Sequence, residues 1–142
     1  MRDTQKAKFY KFEDYIIKRF LQKELHDGLE FREIEGLVGR ICHSYNVRPP
    51  KIKVGRQNSS KAYYKTIDHS ITLPPWAQRT WTVVHETAHA ITYGKGYKDP
   101  GHDGDFVGVW VELFSRMYDI PKETLESEVK LAGLRYVKFS PK

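Results

Sequence analysis

The sequence contains only one cysteine and no long apolar run, and each of these features excludes a class of protein. Cys42 cannot form an internal disulfide, and its apolar neighbours predict a small buried side chain rather than a nucleophile. Charged residues recur from Arg2 to Glu24, so we expect neither a signal peptide nor a membrane span in that segment. The expectation is a cytoplasmic protein in a reducing compartment.

The length and composition are typical of one folded domain. The 142 residues, of which 39% are hydrophobic and 13% aromatic, suffice for one core, so we predict a single domain over 1–142. The net charge of +6 favours anionic partners, but the basic residues are dispersed and interleaved with acids. We therefore expect only weak, nonspecific binding of nucleic acid, which salt would abolish.

Apolar spacing predicts two helices followed by a small, mainly antiparallel sheet. Apolar residues recur every three or four positions over 3–25 and over 31–45, as in helices that bury one face. Three short segments with strand-like patterns come next, at 51–54, 61–66 and 70–73. The last two are predicted to form a hairpin that turns near Asp68. His69 falls at this turn and is expected on the surface.

Helices are predicted again after the sheet. Three helices are predicted, at 76–93, 106–117 and 121–133. The first range contains no helix-breaking residue, the other two show amphipathic spacing, and proline or glycine bounds them. A glycine-rich loop, 94–104, separates the first two, and the tail 134–142 shows no clear pattern. The predicted fold class is therefore α+β, with N-terminal helices, a small sheet, a central helix and C-terminal helices.

The central helix carries the pattern HExxH, which runs from His85 to His89. On a helix these two histidines lie one turn apart and about 40° apart around the axis, so both imidazoles can bind one metal ion. Glu86 lies beside them and can reach a metal-bound water as a general base. Apolar neighbours place the motif on a buried helix face, where a metal offsets the cost of desolvating these side chains.

A catalytic zinc site needs a third protein ligand and one open position. The extended metzincin pattern is absent, because Thr92 and Lys95 occupy the positions of its glycine and third histidine. His102 is the preferred third ligand, since a glycine-bearing loop can bring it back over the central helix. Four acidic residues remain as rivals, with the last two the strongest: Asp99, Asp103, Asp105 and Glu112.

The segment from Tyr63 to Phe106 resembles the SprT-like metalloprotease domain, which includes the Spartan-type proteases. The matching features are Tyr63-Tyr64, Ile71-Thr72-Leu73-Pro74, a tryptophan, the HExxH helix and Gly101-His102-Asp103-Gly104-Asp105-Phe106. The resemblance covers residues 50–115 and implies a minimal zincin fold with His102 as third zinc ligand. The departure is Asp103, which stands where the family usually has glycine.

The layout of the whole chain, including its opening Arg2-Asp3-Thr4-Gln5, resembles small HExxH metallohydrolases of actinobacteria and their phages. This likeness implies a fold and a metal but no substrate. We therefore expect a Zn²⁺-dependent hydrolase, a peptidase acting on a peptide or protein, with His85, His89 and His102 as ligands and Glu86 as base. A nucleic-acid-associated protein and a noncatalytic, regulatory zincin stay open as alternatives. Candidate oxyanion donors are Tyr93, Tyr97 and Arg135.

Overall fold

A computed structural model of the chain describes residues 3–23, 28–97 and 101–140. Five α-helices and three strands follow one another in the predicted order, and the α+β class is confirmed. The helices are α1 (Lys6–Phe20), α2 (Phe31–Ser44), α3 (Thr80–Gly94), α4 (Gly104–Tyr118) and α5 (Lys122–Leu131). The strands are β1 (Lys51–Val54), β2 (Tyr63–Lys65) and β3 (Ser70–Leu73). The predicted end of the first helix and the middle of the loop before α4 lie outside the described residues.

The central helix, α3, begins four residues later than predicted. A one-turn 3-10 helix, Pro75–Ala77, comes first, and Arg79 is extended, with φ −120° and ψ 150°. From Thr82 to Thr92 every residue of α3 is buried, because α2, α4 and the sheet pack around it. The HExxH segment therefore lies in the protein interior.

The three-stranded sheet is mixed, with the strand order β1-β3-β2. β2 and β3 pair antiparallel, as the hairpin prediction requires, with Tyr64 opposite Ile71. β1 instead runs parallel to β3, with Ile52 opposite the same Ile71. The chain crosses over between β1 and β2, which brings the hairpin's second strand into the middle and leaves β2 as an edge strand. Of the two strand pairs, β2–β3 is therefore antiparallel, as predicted, and β1–β3 is parallel.

The expectation that His69 is a surface residue is wrong. His69 lies at the turn with a left-handed φ of 50°, but its side chain is buried. The Tyr64 hydroxyl donates to His69 Nδ1 at 2.6 Å, and His69 Nε2 donates to the Arg48 carbonyl at 2.5 Å. A buried imidazole needs both partners, and the hairpin is thereby fastened to the segment before β1.

Aromatic side chains fill the core between α1, α3 and α4. Trp110, Phe9 and Phe106 are fully buried, and the Phe9 and Trp110 rings meet edge to face at 5.5 Å. Cys42 is fully buried as predicted. No helix in the described part of the chain is long and apolar enough to cross a membrane.

The C-terminal tail, for which the sequence showed no pattern, packs across the start of α4. The Val137 N–H donates to the Gly104 carbonyl at 3.0 Å, and Phe139 is buried. Gly108, one turn into α4, faces the tail so closely that a Cβ there would overlap the Val137 carbonyl oxygen. The tail can therefore approach only because residue 108 has no side chain.

We predict that Gly108→Ala destabilises the protein by about 1–3 kcal/mol, because the added methyl group displaces the tail from α4. The matched control is Gly39→Ala in α2, where nothing lies within 4 Å of the added Cβ. Alanine has the higher helix propensity, so this control should gain about 0.5–1 kcal/mol. Urea unfolding of the two variants measures both effects, and equal stabilities would contradict the packing described.

Candidate metal centre

Three buried histidines converge on one point. His102 Nε2 lies 3.3 Å from His89 Nε2 and 3.4 Å from His85 Nε2, and ligand atoms of all three lie within 4.8 Å of one another. Two nitrogens about 2.0–2.1 Å from one ion in tetrahedral geometry are about 3.3–3.4 Å apart. The structure thus brings together the three predicted ligands, and the two separations measured from His102 match those of nitrogens on a single metal ion.

The elements that carry the histidines explain their convergence. His85 and His89 lie one turn apart on α3, and His102 lies in the loop that ends at the start of α4. Asp103 caps α4 by accepting from the Gly104 N–H at 2.9 Å, which fixes the loop's direction. Phe106, one turn further on, stacks on His89 with ring centres 4.1 Å apart.

Two carboxylates from the N-terminal segment orient two of the histidines. Glu13 Oε2 accepts from His85 Nδ1 at 2.6 Å and from Trp110 Nε1 at 2.9 Å. Asp3 accepts from His102 Nδ1 at 2.7 Å and from the His102 backbone N–H at 3.2 Å. A proton held on Nδ1 leaves the Nε2 lone pair of each ring free to bind a metal. The sequence analysis missed both residues.

Glu86 lies beside the cluster without belonging to it. The carboxylate is buried, and its Oε2 is 3.8 Å from His85 Nε2. Burial raises the pKa of Glu86 to about 7, while the charge of His85 and hydrogen bonding from the Tyr64 backbone N–H act in the opposite direction. A carboxylate with a pKa near neutral is suited to accept and return a proton.

The acidic rivals for the third ligand position have other roles. Glu112 accepts from Lys122 Nζ at 2.6 Å and from the Tyr45 hydroxyl at 3.1 Å. Asp103 caps α4 and pairs with Arg135, and Asp105 is not in the cluster. Asp99 lies outside the described residues. Among the described histidines, cysteines and acids, only the three histidines form a group that could hold a metal ion.

A cleft of about 940 Å³ opens onto the histidines. Tyrosines and tryptophans contribute to its wall beside charged residues and the histidines, and Tyr10 from α1 lies parallel to the His85 ring at 5.6 Å with an interplanar angle of 8°. The three candidate oxyanion donors are absent from this wall, and Arg135 instead binds Asp103 and Thr4. Tyr10 was not predicted as part of the site, because it precedes the motif by more than half the chain and is, in sequence, only one aromatic residue of a helix.

The histidines differ in their affinity for protons. Burial lowers the pKa of His85, but the charge and hydrogen bond of Glu13 outweigh it and raise the value to about 9. Burial and the charge of His85 hold the pKa of His102 below its usual range. A metal-ligating imidazole must be neutral, so metal binding displaces the proton of His85.

Comparison with protein-family models, curated proteins and solved structures finds no match for this chain. The histidine cluster, its two carboxylates and the cleft are therefore the features from which we infer a function.

We predict that Glu13→Gln lowers the affinity for Zn²⁺ by about 10–100-fold, because His85 loses the carboxylate that orients it. Competition with a chelator of known affinity measures this change. Asp14→Asn is the control: Asp14 is on the same helix but pairs only with the exposed Lys18, at 2.8 Å. The role assigned to Glu13 is wrong if both variants bind Zn²⁺ equally well.

We also predict that the metal-free protein loses stability as the pH rises from 7 to 9. The folded-state pKa of His85, about 9, exceeds its ordinary value of 6.5, so the stabilisation is complete below 6.5 and disappears as the pH passes 9. The slope should reach at most about 1.4 kcal/mol per pH unit. Urea unfolding in chelator at pH 7, 8 and 9 measures it.

The same measurement on Glu13→Gln supplies the control, because the Glu13 charge causes the raised pKa. Its slope should be close to zero. A stability of the metal-free parent that stays constant or increases over this range would contradict the assignment of a proton to His85.

Proposed function

We propose that the chain is a zinc-dependent metallohydrolase that cleaves amide bonds in peptides or proteins. The observation that supports it most is that His102 Nε2 lies 3.3 Å from His89 Nε2 and 3.4 Å from His85 Nε2, with the Glu86 carboxylate beside them. Three imidazoles and a neighbouring carboxylate are the elements of a hydrolytic metal site.

The donor set favours a transition metal such as zinc over calcium and magnesium. Three buried imidazoles suit zinc, whereas calcium and magnesium require oxygen ligands, and the single cysteine is not in the cluster. Three protein ligands leave one tetrahedral position, which in catalytic sites is taken by water. The cleft adjoins all three histidines, so this position is accessible to substrate.

Bound zinc would supply Lewis acidity and lower the pKa of a water molecule at the open position. Glu86, beside that position, would hold a proton on its carboxylate as general base and return it to the leaving amine. Asp3 and Glu13 keep His102 and His85 in the tautomer that binds the metal.

The edge strand β2 offers a place for a peptide. Ala62, Tyr63 and Tyr64 line the cleft, and the Tyr64 N–H is directed toward Glu86 and thus away from β3. A residue's N–H and C=O point to the same side of a strand, so both backbone groups of Tyr64 face the cleft, where the N–H already binds Glu86. An extended peptide could add to the edge as a further strand, with its amide bond near the histidines.

We predict that Glu86→Gln keeps its zinc but reduces peptide hydrolysis by about 10²–10⁴-fold, because the variant lacks the general base. Cleavage of a peptide library followed by mass spectrometry measures activity, and metal analysis measures zinc. His85→Ala should lose zinc, and Glu123→Gln, an exposed site on α5, should change neither property.

Two outcomes would contradict the proposal. Loss of zinc from Glu86→Gln to the extent seen in His85→Ala would make Glu86 a ligand rather than a base. A zinc-loaded parent protein that cleaves no peptide would instead favour the noncatalytic, regulatory alternative.

A further inference from the structure

The first turn of α3 borders the cleft and contains polar groups without partners. Thr82 is 5% exposed and lines the cleft, yet its Oγ1 has no hydrogen-bond partner within the described part of the chain. Trp81, the preceding residue, also lines the cleft, and its buried Nε1 is likewise unpartnered there. A buried polar group without a partner is costly and therefore uncommon in native proteins.

Position in the helix explains why Thr82 differs from the other buried threonines of α3. Thr87 and Thr92 donate to the carbonyls four residues earlier, Val83 and Ala88, each at 2.7 Å. Thr82 is the third residue of α3, and the residue four positions before it lies ahead of the helix. Its hydroxyl consequently lacks the intrahelical acceptor that Thr87 and Thr92 have.

The charge of this turn favours an anion. The N-terminus of a helix presents free N–H groups and the positive end of its dipole. At α3 no side chain caps these groups, and the first turn contains no acidic residue. An acceptor with a negative charge would therefore satisfy the turn better than a neutral one.

A lysine also lines the cleft. The Trp76 Nε1 donates to the Ser59 carbonyl at 2.5 Å, which holds the 59–61 segment beside the turn that precedes α3. Lys61 lines the cleft, and within the described residues its ammonium group pairs with no carboxylate. The acids of the cleft wall are already engaged: Asp3 by His102, Glu13 by His85 and Glu86 by the Tyr64 N–H.

We propose that Trp81, Thr82 and Lys61 form a carboxylate-binding subsite at the start of α3. The proposal rests on the proposed function, since it takes a peptide as the ligand of this cleft. Thr82 and Glu86 lie four residues apart on one helix face, about 6 Å along the axis. The substrate is thus a peptide with a carboxylate within one residue of the cleaved amide, and no arginine of the described chain lines the cleft to favour phosphate instead.

A side-chain carboxylate and a C-terminal carboxylate have the same chemistry, and four peptides distinguish them. The peptides share one acetylated sequence and combine a central glutamate or glutamine with a free or amidated C-terminus. Calorimetry on zinc-loaded Glu86→Gln measures binding without turnover, so the result does not depend on hydrolysis by the parent. If the subsite takes a side-chain carboxylate, we expect the glutamate peptides to bind at least about tenfold more tightly than the glutamine peptides. If it takes a C-terminal carboxylate, we expect the same difference between the free and the amidated peptides.

Substitutions then test the residues. Adding Thr82→Val should reduce the preference to less than about threefold, while the melting temperature is unchanged or higher because the lost hydroxyl has no partner. Lys61→Gln should weaken the preference as well. Lys65→Gln is the matched control, because Lys65 is on β2 but outside the cleft wall, and it should leave the preference intact.

Equal affinity for all four peptides overturns the proposal, as does a preference that survives Thr82→Val. A phosphoserine peptide that binds more tightly than the glutamate peptide overturns the assignment to carboxylate. If the preference is found and depends on Thr82 while the parent protein hydrolyses nothing, the subsite stands and the hydrolase proposal fails.

Discussion

The structure depends on the cost of burying three imidazoles and a carboxylate, three of these four groups on α3 and the fourth, His102, in the loop before α4. Desolvation alone would drive these groups toward their neutral forms or toward the surface. The fold counters this with Glu13 against His85 and Asp3 against His102, both at hydrogen-bond distance. Charge pairing within the interior thus makes the HExxH helix compatible with a packed core, and a bound ion would complete the compensation.

The N-terminal helix consequently has two functions in one element. Its apolar face supplies Phe9 and Phe12 to the core, as the three-to-four-residue spacing predicts. The same helix places Glu13 under His85 and Tyr10 against its ring. Gln5, just before the helix, donates to the His102 carbonyl at 2.7 Å and accepts from the Arg135 N–H at 2.6 Å. The histidine loop is thereby fixed to both ends of the chain.

Sequence predicted what depends on local spacing. The order of the helices, the hairpin and the meeting of His102 with the HExxH pair follow from periodicity, glycine positions and resemblance, and the structure shows each, although α3 begins four residues later than predicted. Glu13, Asp3 and the parallel β1–β3 pair depend on which elements become neighbours, and nothing in the local sequence encodes that. The prediction for His69 was wrong because its position at a turn does not reveal its two hydrogen-bond partners, the Tyr64 hydroxyl and the Arg48 carbonyl.

The contacts of Gln5 span 97 residues to His102 and 130 to Arg135. Contacts of such long range form late, because the chain must close large loops before they can contribute. During synthesis on the ribosome, the segment that carries His85 and His89 emerges before His102, and the tail follows after it. The contact that joins Gln5 and the His102 loop to the tail can therefore form only after residue 135 has been synthesised. The anchoring of the three imidazoles thus depends on a residue that is made later than any of them.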